Sequence, residues 1–171
     1  MLRGMRLPRP STWLLIAAAA AAALLAAVHL LERVGGYPPC ELCLRQREVL
    51  WTVLAVGMTG AGLGRWRPVL ARVAVVAVAV AFVVGVAVAG YHAGVEWRWW
   101  PGPTTCSGRP AGSVGAADVA AIFSGAKTVH VVRCDEAALR IAGLSLAGWN
   151  VLASAALALA SLAVLFRRER P

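Results

Sequence analysis

Four cysteines carry the most pointed chemistry in this 171-residue chain. Cys40 and Cys43 form a C-x-x-C inside Gly35-Gly36-Tyr37-Pro38-Pro39-Cys40-Glu41-Leu42-Cys43, while Cys106 and Cys134 stand apart with 27 residues between them. Pro39 suits the first position of a helix, where its missing N–H would have been unpaired anyway. A helix starting there puts Cys40 and Cys43 in its first turns as i,i+3 neighbours, with Cys43 and Arg47 on one face at i,i+4. The positive end of a helix and a neighbouring guanidinium both favour thiolate over thiol. The alternative use of a C-x-x-C is half of a structural zinc site, which normally brings a second close cysteine pair. Cys106 and Cys134 are too widely spaced for that. His92 and His130 remain as substitute ligands, but redox use is the reading the spacing favours, and no metal is predicted.

The composition says where these thiols must sit. The chain is 60% hydrophobic and only 15% charged, with a mean hydropathy of +0.70. Globular domains run to about 45–50% apolar and roughly 25% charged residues. A soluble basic domain, a disordered tail and a collagen-like chain are excluded. The net charge of +9 raises the question of nucleic acid, but the charges lie in short clusters between long uncharged runs. No nucleic-acid partner is expected. Glu96-Trp97-Arg98-Trp99-Trp100 interleaves basic and aromatic residues, and beside an apolar stretch it is more simply a membrane anchor.

A membrane helix needs about 20 mostly apolar residues. Four stretches meet or approach this, at about 11–31, 44–64, 69–91 and 144–166. The second is the weakest, with Arg45, Arg47 and Glu48 in its first turns. The expectation is an all-α membrane protein, one four-transmembrane-helix bundle spanning residues 1–171. A cleaved signal peptide competes for the first stretch, but its apolar run exceeds the usual 7–15 residues and lacks a clear small-x-small site. Arg3, Arg6 and Arg9, then Arg65, Arg67 and Arg72, then Arg167, Arg168 and Arg170 crowd short segments next to the spans. By the positive-inside tendency both termini are cytoplasmic. Loops 32–43 and 92–143 then face outward, and a cell with a periplasm is the natural setting. All four cysteines fall in those loops, on the oxidising side, where disulfides form and persist. Trp13, Trp66, Trp97, Trp99, Trp100 and Trp149 all lie near expected interfaces.

Three further features have a functional and a plain reading. His92, at the outer end of the third span, can hydrogen-bond a ligand oxygen or face lipid headgroups. His29 near the end of the first span is read as a snorkelling side chain. Val114, Val119, Ile122 and Phe123 outline a short amphipathic helix across 114–127, either tethering the loop to the membrane or packing on its own protein.

Taken together, these motifs resemble the disulfide bond formation protein B (DsbB) family of inner-membrane quinone-dependent thiol oxidases. The resemblance rests on Pro39-Cys40-Glu41-Leu42-Cys43 with Gln46-Arg47, on Tyr91-His92-Ala93-Gly94-Val95-Glu96, on Pro103-Thr104-Thr105-Cys106, and on Cys134-Asp135-Glu136 ahead of Gly143-Leu144-Ser145. It covers about residues 11–166. It implies that Cys40 and Cys43 are the quinone-proximal catalytic pair, that Cys106 and Cys134 form the loop pair meeting the soluble oxidase, and that Arg47, with His92, belongs to the quinone site. The implied cofactor is ubiquinone or menaquinone and the implied partner a periplasmic DsbA-like thiol oxidase. An outward-running membrane thiol reductase and a non-catalytic four-helix scaffold with structural disulfides or zinc are the competing classes.

Overall fold

A computed structural model describes residues 7–103, 124 and 133–166. Cys106, His130 and the expected 114–127 helix lie outside the described residues, apart from Ser124. Among the described residues there are four long helices: α1 (Pro10–Arg33), α2 (Glu41–Leu63), α3 (Pro68–Glu96) and α4 (Leu146–Leu165). Two short strands, β1 (Arg140–Ile141) and β2 (Leu144–Ser145), precede α4. Helices α1, α3 and α4 are each long and apolar enough to cross a membrane. Helix α2 carries Glu41, Arg45, Arg47 and Glu48 in its first turns.

The buried stripes follow helical spacing. On α1 they are Trp13, Leu14, Ala17, Ala21 and Leu25; on α2, Leu42, Gln46, Leu50, Val53, Gly57 and Gly60. The α1 stripe, with Leu50 and Val53 of α2, meets Val75, Val78 and Phe82 of α3 in one apolar core. Lipid tails are as apolar as leucine, so helices in a bilayer associate through close packing, which small residues permit. Gly57 shows this at the α1 contact, where a Cβ would stand 2.9 Å from the Leu14 carbonyl oxygen. Gly60 does the same against Ala74 of α3.

Short connections make α1, α2 and α3 antiparallel neighbours in turn, and α4, reached through a long loop, sets its first residues against the end of α3, where Glu96 meets Ser145. The C-terminal ends of α1 and α3 therefore gather with the N-terminal ends of α2 and α4. At the opposite end Trp13 donates its indole N–H to Ser161 of α4 at 3.0 Å. Trp13 is thus a buried contact between helices, not the interfacial anchor expected of it, because an indole inside an apolar bundle needs a partner for its N–H. Trp66, Trp97, Trp99, Trp100 and Trp149 are exposed.

Three boundaries differ from the sequence reading. Helix α2 starts at Glu41, not Pro39, and Cys40 is its N-cap with φ −78° and ψ 174°. The Cys40 sulfur accepts the Cys43 N–H at 3.3 Å, doing the work a serine or aspartate usually does at that position. Helix α3 runs to Glu96, beyond the expected end at 91, because nothing in His92-Ala93-Gly94-Val95 breaks it. It closes with Arg98 in the left-handed region at φ 60°, while Arg98 N–H bonds Val95 O and Trp99 N–H bonds Gly94 O. This is the Schellman arrangement, usually built on glycine. Finally, a small hairpin precedes α4, pairing Arg140 with Ser145 and Ile141 with Leu144. Its turn residues Ala142 and Gly143 both have positive φ, as a tight two-residue hairpin loop demands.

Candidate active site

The gathered helix ends bring together residues far apart in sequence. Cys40 and Cys43 hold their sulfurs 2.9 Å apart, with the Cys40 thiol donating to Cys43. A disulfide bond is about 2.05 Å long, so closing this pair needs a shift of less than an ångström. Cys40 is 6% exposed and Cys134 is 2% exposed; the two share one apolar cluster with Leu42 and Val95, and Cys43 packs against it. The loop thiol and the C-x-x-C pair are therefore neighbours across about 90 residues of chain. Hydrogen bonding to Cys43 and burial push the Cys40 thiol above the ordinary thiol range.

His92 does not face outward. It is 3% exposed, with Nε2 at 3.6 Å from Cys40 Sγ and 3.7 Å from Glu96 Oε1. Its Nδ1 accepts from Gln46 Nε2 at 2.8 Å. Gln46 Oε1 in turn accepts from Asn150 of α4 at 2.6 Å, and Ser154 donates to Asn150 at 3.4 Å. Carrying α3 five residues past its expected end is what brings the His92 ring onto the cysteine pair. Glu96 meets the Ser145 hydroxyl at the head of α4, and among the described residues its buried Oε2 has no hydrogen-bond partner.

Arg47 lies one turn below Cys43, and its Nη1 donates to Glu32 on the last turns of α1 at 2.5 Å. The Arg47 side chain is only 13% exposed. Arg45, by contrast, is exposed and pairs with Glu48 at 3.2 Å on its own helix. His29 turns back on α1 and donates from Nδ1 to Leu25 O at 2.8 Å.

Donor atoms of Cys40, Cys43 and His92 lie within 4.8 Å of one another, a spacing open to a thiophilic metal. Ligation through His92 Nε2 would require that nitrogen to be bare and Nδ1 to carry the proton. Gln46 opposes this by presenting an N–H to Nδ1.

Gln46, Asn150, Glu32 and Glu96 had no assigned role in the sequence reading. Gln46 and Glu96 stand in the motifs that carry the resemblance, and Gln46 left a further signal. It sits four residues from Leu42 and from Leu50 on the buried stripe of α2, where an amide must have a partner.

No curated protein matches the chain. The family model described as DsbB, disulfide bond formation protein DsbB, matches residues 9–164. That match takes in the C-x-x-C, the buried histidine and the loop cysteines alike, and places the chain in the DsbB family of membrane-bound disulfide bond formation proteins.

Proposed function

We propose that the chain is a membrane thiol:quinone oxidoreductase that reoxidises a periplasmic DsbA-like thiol oxidase. The carrying observation is that Cys134 packs against Cys40 at the mouth of α2. That packing supports a relay in which the Cys106–Cys134 disulfide takes electrons from the partner and Cys40–Cys43 takes them from the loop. The Cys134 thiolate attacks Cys40 Sγ; a Cys40–Cys134 bond forms, the Cys40–Cys43 bond breaks, and Cys43 leaves with the electron pair as thiolate. Cys106 enters through the family resemblance. Its return attack on Cys134 would restore the loop disulfide and leave Cys40 and Cys43 as the reduced pair.

A membrane quinone, ubiquinone or menaquinone, would supply a two-electron, two-proton acceptor for that pair. Cys43 and Arg47 suit it. Cys43 is half-buried against apolar side chains, and among the described residues Glu32 engages one terminal nitrogen of a five-donor guanidinium. A guanidinium stays charged and is weakly hydrated, which favours negative charge growing on an oxygen at the apolar boundary. Both nitrogens of His92 already face protein groups, so we place that ring at the Cys40 sulfur and not at the quinone. In the same reading α2 is a fourth span, both termini are cytoplasmic, and loops 32–43 and 92–143 face the periplasm from the bacterial inner membrane.

Purified full-length protein, mixed with a soluble ubiquinone analogue and a reduced DsbA-like protein, tests this. Quinol should form in step with partner disulfide, and only while all four cysteines are present. Partner oxidation without quinol, or no turnover with either quinone class, overturns the reading.

A further inference from the structure

We propose that Gln46, braced by Asn150, is a positioning residue that holds His92 as its Nε2–H tautomer, so that the imidazole donates to the Cys40 sulfur during thiol–disulfide exchange. The inference rests on the reading of Cys40–Cys43 as an exchanging pair.

The hydrogen bonds around Gln46 fix its amide. Its nitrogen lies 3.4 Å from the Leu42 carbonyl oxygen as well as 2.8 Å from His92 Nδ1. Turning the amide over would set one oxygen against another at Leu42 and deprive Asn150 Nδ2 of its acceptor. An amide N–H facing Nδ1 makes that nitrogen an acceptor, and a neutral imidazole then carries its proton on Nε2. The surroundings of Nε2 agree. It looks onto the Cys40 sulfur and the Glu96 carboxyl group. The donors thus run one way, from Ser154 to Asn150, Gln46, His92 and Cys40, and in the dithiol form on to Cys43. Three helices contribute. Buried amides are costly unless bonded, and a fully satisfied chain in a low-dielectric interior polarises in one direction.

Exchange gives this direction a use. As Cys134 attacks Cys40 and Cys43 departs, one negative charge spreads over three sulfurs, and the His92 N–H points at the middle one. No proton is transferred; the donor only stabilises the charge.

The test uses the full-length chain in detergent with Cys106→Ser and Cys134→Ser, leaving one disulfide, and follows its reduction by dithiothreitol. Gln46→Met, which keeps size and removes the donor, should slow reduction roughly 10-fold, the scale of a lost hydrogen bond to charge. Asn150→Leu should give a smaller loss in the same direction and serves if Gln46→Met does not fold. In a His92→Phe background, Gln46→Met should add almost nothing, because Gln46 acts through the ring. Nitrogen-15 NMR of labelled histidine, with His92 identified by its loss in His92→Phe, should show a proton bonded to Nε2 and a hydrogen-bonded, bare Nδ1. A proton on Nδ1, or an equal slowing by Gln46→Met with and without His92, overturns the proposal. None of these measurements involves quinone or partner. Loss of quinol formation with these signatures intact therefore counts against the proposed function alone.

Discussion

Arg47 of α2 is tied to Glu32 of α1, with Nη1 and Oε2 2.5 Å apart and the guanidinium largely withdrawn from solvent. Taking an arginine and a glutamate out of water is costly, and removing one partner strands the other. The pair fixes where the guanidinium points, one turn below Cys43. Arg47→Ala should raise the apparent KM for a quinone analogue about 10- to 150-fold, the span of a lost charge-assisted donor. Arg47→Lys should do so less severely, and Glu32→Gln should give a smaller rise by loosening the fork. Arg45→Ala should leave KM unchanged, since Arg45 is exposed and paired on its own helix. Steady-state quinol assays check this; an equal effect at Arg45 would assign the effect to general interface charge.

The packing of Cys134 on Cys40 makes a covalent prediction. With Cys43→Ser, a Cys40 thiolate attacking Cys134 of the loop disulfide would release Cys106, and alkylating the freed Cys106 blocks its return attack on the new bond. A Cys40–Cys134 cross-link should accumulate, visible by acid quench and peptide mapping. Recovery of Cys40 joined to Cys106 instead would contradict the assigned order.

Cys40 should be slow to ionise. Its hydrogen bond to Cys43 comes first among the causes and its burial second, and both raise its thiol above the usual range. A raised thiol pKa keeps the neutral S–H across neutral pH and delays thiolate formation beyond about 8.5. Iodoacetamide labelling of the dithiol form should therefore reach Cys43 before Cys40 at pH 7–8. Cys43→Ala removes the largest cause, so the onset of Cys40 labelling should move to lower pH. Mass-spectrometric labelling profiles check both; an unmoved onset would count against the hydrogen bond.

Arg98 closes α3 with φ 60°, a conformation that costs an ordinary L-residue about 1–2 kcal/mol. Glycine avoids that cost but loses more freedom on folding, about 0.5–1 kcal/mol. Arg98→Gly should therefore stabilise by about 0.5–1 kcal/mol, read as a higher thermal midpoint in detergent. A lower midpoint would mean that the arginine side chain contributes more than its backbone loses.

Much of the architecture was readable because apolar runs and cysteine spacing are local signals. The helix beginning near Cys40 and the separation of Cys106 from Cys134 needed only composition and turn chemistry. The start of α2 was misplaced by two residues because a sulfur took over the capping role, which the residue types preferred at N-caps do not anticipate. The site's polar chain was illegible for a different reason. Gln46, His92 and Asn150 stand on three helices, and nothing within a window of any one of them points to the others. Only the bundle makes them adjacent. His92 was read as a quinone-site or headgroup-facing residue because span length alone ended α3 at Tyr91, and one further turn of helix turns the ring inward.

The hairpin ahead of α4 has a consequence for concentration. Trp149 clamps it by donating to Ile141 O at 3.0 Å, which anchors the chain at Arg140, six residues after Cys134. Six extended residues reach at most about 20 Å. Were Cys134 to leave Cys40 for another sulfur, it would remain within that radius, equivalent to Cys40 meeting it at a millimolar concentration or above. The return exchange is then intramolecular, and its rate is insulated from how much protein the membrane holds.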